Sequence, residues 1–74
     1  MITFEEAVQK AKKLKPNIDG GTEWENGYVF SNHKEGKNIG GPSPVVILKK
    51  NGEAVNMPYF VMSGTGKMLR DFEL

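Results

Sequence analysis

Val45-Val46-Ile47-Leu48, followed by Lys49-Lys50-Asn51-Gly52, is the stretch on which the fold turns. Four aliphatic residues in a row, closed by a turn dipeptide, make a strand with no polar face. Tyr59-Phe60-Val61-Met62 has the same property and is also expected to be a strand. A strand that is apolar on both sides needs cover on both. The chain offers one long helix, Thr3 to Lys15, and a single short helix covers one side of a small sheet. Something else is therefore expected on the other side, and that missing cover is the best clue to function. In one reading Val46 and Leu48, or their alternates, lie under the long loop and the C-terminal segment. In the other, that face or an edge strand meets another chain, because a large exposed apolar patch marks an interface.

The helix is bounded by local chemistry. Thr3 is a good N-cap and Glu6, three residues later, completes a capping box, with Ile2 positioned to pack on Ala7 as a hydrophobic staple. At about 100° per residue Phe4, Ala7, Val8, Ala11 and Leu14 share one stripe. Glu5, Glu6, Gln9, Lys10 and Lys13 fall opposite. Pro16 ends the helix by disfavouring helical geometry in the residue before it.

The remainder alternates strand runs with turn residues. Thr22 to Asn32 reads as one long strand with Trp24, Tyr28 and Phe30 on a single face. Asn26-Gly27 can instead turn a hairpin, but two very short arms would result, so the continuous strand is preferred. His33 to Pro44 is a glycine-rich loop. Val45 to Lys50 turns through Asn51-Gly52 into a strand over Glu53 to Asn56, and Pro58 belongs at an edge or bulge. Tyr59 to Ser63 and Lys67 to Glu73 make a second hairpin around Gly64-Thr65-Gly66. Met68, Leu69 and Phe72 also fit a helical turn, so the last segment is open between strand and helix. The expected fold is a single α+β domain over residues 1–74, one N-terminal helix on a four- to five-stranded antiparallel meander.

Composition limits function. At 74 residues the core is small, and with no cysteine there are neither disulfides nor thiolate metal sites. Ten Lys and Arg nearly balance nine Asp and Glu, which argues against a dedicated nucleic-acid or membrane-surface protein. No apolar run reaches the roughly 18 residues of a membrane span. The start at Met1-Ile2 goes directly into helix-capping residues, so no signal peptide is expected and a cytoplasmic location is.

The motifs with chemical potential all have plainer explanations. Gly64-Thr65-Gly66-Lys67 echoes the end of a phosphate-binding loop. Val61 stands where that loop needs its first glycine, and Met68 replaces the magnesium-binding hydroxyl. His33 is the only histidine and no spacing supplies it with a nucleophile and an orienting partner. Glu23 and Glu25, two apart, would share a strand face, but so small a chain leaves little room for a sugar cleft between catalytic carboxylates. Lys10, Lys12, Lys13 and Lys15, joined by Lys49 and Lys50, resemble a phosphate-contacting patch. Positive charge at a helix C-terminus is what the helix dipole favours, and that reading is preferred. No catalytic residue, cofactor, metal or small-molecule substrate is expected.

The order Ile2-Thr3-Phe4-Glu5-Glu6-Ala7, Glu25-Asn26-Gly27-Tyr28-Val29-Phe30, Gly40-Gly41-Pro42 and Pro44-Val45-Val46-Ile47-Leu48-Lys49-Lys50-Asn51-Gly52 resembles the YrhB-like immunity-protein family found beside bacterial toxins. The resemblance spans about two-thirds of the chain in order. It implies a cytoplasmic, non-enzymatic protein that acts by occupying a partner's surface. The expected function is thus a protein-binding module, an immunity or inhibitor protein working by surface occlusion. The alternative is a homodimeric structural module from a phage or mobile element. Trp24, Tyr28, Val46, Leu48 and Tyr59 are the candidate contact residues, the aromatics because Trp and Tyr are over-represented at binding hot spots.

Overall fold

The computed structural model describes residues 1–32 and 44–74. The expected capping box forms at Thr3: the Glu6 N–H donates to Thr3 Oγ1 at 3.1 Å and the Thr3 N–H to Glu6 Oε1 at 2.9 Å. Helix α1 then runs Phe4–Leu14 and stops before Pro16. Among the described residues five strands follow, β1 (Gly20–Trp24), β2 (Gly27–Ser31), β3 (Val45–Leu48), β4 (Ala54–Val55) and β5 (Met68–Glu73), with a second helix, α2 (Met57–Ser63), between β4 and β5. The sheet is antiparallel throughout, in the order β4-β3-β2-β1-β5. The α+β class and the N-terminal helix on an antiparallel sheet are as expected; three elements differ.

First, the stretch from Thr22 to Asn32 is a hairpin and not one strand. β1 pairs with β2 with Glu23 opposite Tyr28, so Glu25 and Asn26 make the turn. The short arms are stabilised by neighbours on both sides, β3 against β2 and β5 against β1. Gly21 allows the two strands to approach closely, since a Cβ there would collide with the Val29 carbonyl oxygen. The break also reverses one side chain: Tyr28 and Phe30 face α1, whereas Trp24 faces the opposite side of the sheet.

Second, Tyr59 to Ser63 is helical. Asn56 caps α2 by accepting the Tyr59 N–H at 2.8 Å, Pro58 sits in the first turn, and Gly64 ends the helix at φ +102°. Proline in the first turn needs no intrahelical donor, and glycine tolerates the positive φ that stops the helix. Third, β5 has no hairpin partner in that segment; it returns to pair with β1 at the other edge. The final segment is therefore strand, and the meander covers only β1 to β4. The loop expected over His33 to Pro44 lies, apart from Pro44, outside the described residues.

Both sides of β3 are buried, as its sequence requires. On one side Val45 and Ile47 join Tyr28, Phe30, Ile18, Ala7 and Ala11, with Phe4, Val8 and Phe72 packed around them. Phe4 and Phe72 meet edge to face at 4.9 Å between ring centres, and Phe30 and Phe72 at 5.4 Å, geometries that add to simple burial. Leu14, expected in this stripe, is exposed at the end of α1. On the other side Val46 and Leu48 join Val29 and the fully buried Phe60, bordered by Trp24, Val55 and Met57. The second cover anticipated from the sequence thus comes from the chain's own α2, by way of Phe60.

Candidate functional site

Helix α2 sits on the sheet with Met57 and Phe60 turned inward. At about 100° per residue, Tyr59, Val61 and Met62 point elsewhere, and all three are exposed, Met62 at 89% of its surface. The entire stretch from Ala54 to Gly66 carries no Asp, Glu, Lys or Arg. A helix that is apolar on every side is normally buried on every side; this one has cover on one side only among the described residues. The sheet face continues beyond it to half-buried Trp24 and, directly across from it on β5, exposed Met68.

Beside α2 the surface opens into a cleft of about 330 Å³ whose lining includes Asn26, Leu48, Lys50, Tyr59, Ser63 and Gly64. Its floor is well anchored. The Glu25-Asn26 turn is strapped by the segment after α2: the Lys67 N–H donates to Glu25 Oε1 at 2.8 Å, and Asn26 Nδ2 donates to the Gly64 carbonyl at 3.0 Å. Two backbone bonds, Glu25 N–H to Lys67 and Asn26 N–H to Thr65, complete the strap. This is the structural role of Gly64-Thr65-Gly66-Lys67. Gly66 is needed there because its φ is +74° and a Cβ would press on Glu25.

The five candidate residues divide sharply. Tyr59 is exposed on α2, and Trp24 is half-buried with its indole N–H donated to Thr22 Oγ1 at 2.9 Å. Tyr28, Val46 and Leu48 are buried within the chain's own two cores. A charge at Val46 or Leu48 would therefore unfold the domain before it tested any interface. The sequence reading missed Val61, Met62 and Met68 as surface residues because it placed them in a hairpin. The signal that would have found α2 is Asn56-Met57-Pro58 before the apolar run and Gly64 after it, an N-cap, a first-turn proline and a C-terminal glycine.

The remaining motifs resolve individually. Glu23 receives Lys49 Nζ at 2.8 Å and Arg70 Nε at 2.7 Å. The hydrogen bond from Lys49 is the main cause that holds its carboxyl below the ordinary range, against an opposing desolvation, with Arg70 adding to it. Lys49 also lies over the Tyr28 ring, and Arg70 over Phe4 and Phe72, so the triad seals the rim of the aromatic core. Glu25 is in the turn and is not paired with Glu23. Lys10 donates to the Gly52 carbonyl at 3.0 Å, while Lys12 and Lys13 occupy the last turn of α1. His33 lies outside the described residues. Among the described residues no group of three His, Cys, Asp or Glu could hold a metal, and no helix is long and apolar enough to cross a membrane. No protein-family model, curated protein or solved structure matches the chain.

Proposed function

We propose that this protein is a small non-enzymatic binding module that works by covering a partner protein's surface, with the outer side of α2 as its docking face. The observation that supports this most is a helix without a single charged residue whose Tyr59, Val61 and Met62 are exposed. Exposed contiguous apolar surface on a small domain is costly to keep in water and marks an interaction site. Methionine and tyrosine suit the task, the first by adapting its shape and the second by combining an apolar ring with a polar tip. Trp24 and Met68 extend the face toward β5, and the cleft beside Tyr59 offers a partner side chain a place to enter. An immunity or inhibitor protein in the cytoplasm, which the family resemblance implies, is the specific form of this reading.

The test uses the full chain, tagged, to recover proteins from lysate of its own host, side by side with Met62→Lys and Lys12→Glu variants. The account expects one stoichiometric partner that Met62→Lys loses and Lys12→Glu keeps. Recovery unaffected by Met62→Lys would remove α2 from the interface. Recovery of only the chain's own copy, with melting that rises on concentration, would replace the foreign partner by a homodimer.

A further inference from the structure

The two edges of the sheet are unequal. β4 has two residues and leads directly into α2, whereas β5 has six and, among the described residues, ends the sheet on the other side. The Leu74 N–H donates to the Asp19 carbonyl at 3.0 Å, and the register places Phe72 opposite Gly21 and Asp71 opposite Thr22. In an antiparallel ladder hydrogen-bonded pairs alternate with non-bonded ones. The backbone groups of Phe72 therefore point inward to β1, and those of Asp71 and Glu73 point outward. Their side chains are also on one face: Phe72 and Arg70 lie on the α1 side, so Asp71 and Glu73 lie on the other. Both are exposed, and neither has an ion-pair partner among the described residues.

We infer that the β5 edge accepts an extended segment of a partner protein as a sixth, antiparallel strand, and that it selects a segment with basic residues two apart. The added strand would hydrogen-bond to Asp71 and Glu73 and place its own alternate side chains opposite theirs. Opposite Phe72 it would carry an apolar residue, and opposite Arg70 an acidic one. A second copy of this chain is a poor occupant in the registers centred on Arg70, Asp71 and Phe72. Centred on Leu69 it would set Lys67 opposite Asp71, and concentration-dependent protection of the Asp71 amide in the free chain would reveal that register and overturn the inference. Two-fold antiparallel pairing joins residues of the same face. Centred on Arg70 it sets two arginines opposite each other, and centred on Asp71 two aspartates. Centred on Phe72 it makes two Asp71–Glu73 pairs. Like charges directly opposite destabilise a ladder, so the charges that guard this edge against self-pairing also define what it takes. The inference rests on the reading above only in calling for a protein partner. It uses other residues, so Met62→Lys and Asp71→Lys variants separate the two.

The probe is a terminally blocked peptide, Thr-Lys-Val-Lys-Glu-Thr, titrated into the isotope-labelled full chain and followed by backbone amide resonances. A peptide with its charges reversed, Thr-Glu-Val-Glu-Lys-Thr, is the control. The free chain should exchange its Asp71 and Glu73 amides quickly and its Phe72 amide slowly. The basic peptide should shift and protect the Asp71 and Glu73 amides, roughly tenfold more tightly than the control. Asp71→Lys with Glu73→Lys should reverse that order. Equal binding of both peptides, shifts confined to α2 or the cleft, or no shift at millimolar peptide would each overturn the inference.

Discussion

On one face of the sheet, α1 turns Ala7 and Ala11 inward and Glu5, Glu6, Lys12 and Lys13 outward. On the other, α2 turns Phe60 inward and Tyr59, Val61 and Met62 outward. The first helix is amphipathic, long enough for a full capping box, and seated on a cluster of aromatic rings. The second is two turns long, capped by one Asn, and anchored chiefly by one ring. Both bury what the sheet requires, but only α1 presents a surface that water favours. The difference separates residues that hold the fold from apolar residues exposed beyond its needs, the proposed docking face, and it does so within a single chain.

Removing each anchor breaks the comparison most severely. Phe30→Ala and Phe60→Ala each delete a fully buried ring and should cost about 3–5 kcal/mol. Phe30→Ala should lose the whole domain cooperatively, since it touches Phe4, Tyr28 and Phe72. Phe60→Ala should expose Val46 and Leu48 and show enhanced dye binding before unfolding. Chemical denaturation with a hydrophobic dye distinguishes the two, and identical behaviour would mean that the faces are not separate clusters.

A smaller change sharpens the contrast between the caps. Asn56→Ala removes the side-chain N-cap of α2 and should cost about 1 kcal/mol. Amide exchange should then quicken over 57–63 and stay unchanged in α1. Uniform acceleration would show that α2 does not open on its own.

Acid tests the rim of the aromatic face. The Glu23 carboxyl titrates lower in the folded chain than in the unfolded one, because of Lys49 first and Arg70 second. Its contribution is therefore complete above the ordinary carboxylate range and disappears as pH falls through the folded value. Glu23→Gln should lower stability by about 1 kcal/mol near neutrality, a figure held down because Arg70 is half-exposed. The gap should close in acid. A gap of constant size across the acid limb of the unfolding curve would contradict the ion-pair assignment.

The smallest expected effect on stability is the most informative. Met62→Lys replaces a side chain that is almost fully exposed and should change stability by less than about 0.5 kcal/mol. Loss of stability above that range would place Met62 in the fold instead of at the interface.

Much of this architecture was legible in the residues. Thr3 and Glu6 announce α1, Pro16 its end, and Val45 to Leu48 a strand buried on both sides. The hairpin at Glu25-Asn26 was harder to read, because its short arms are held by β3 and β5, which are distant in sequence. Tyr59 to Met62 misled for a different reason. An apolar run of this length fits a strand or a buried helix turn equally well, and the decision lay in the flanking Asn56, Pro58 and Gly64. The candidate contact residues followed the same division. Tyr59 is exposed because α2 turns it outward, whereas Val46 and Leu48 depended on knowing that α2 would cover them.

The account depends most directly on α2 having an inner side that belongs to the fold and an outer side that belongs to a partner. Hydrogen exchange of the chain alone and bound to the protein it recovers measures this residue by residue. The account predicts slowed exchange across Met57–Ser63 on binding, with α1 unaffected. Protection confined to α1, or none in α2, would contradict it.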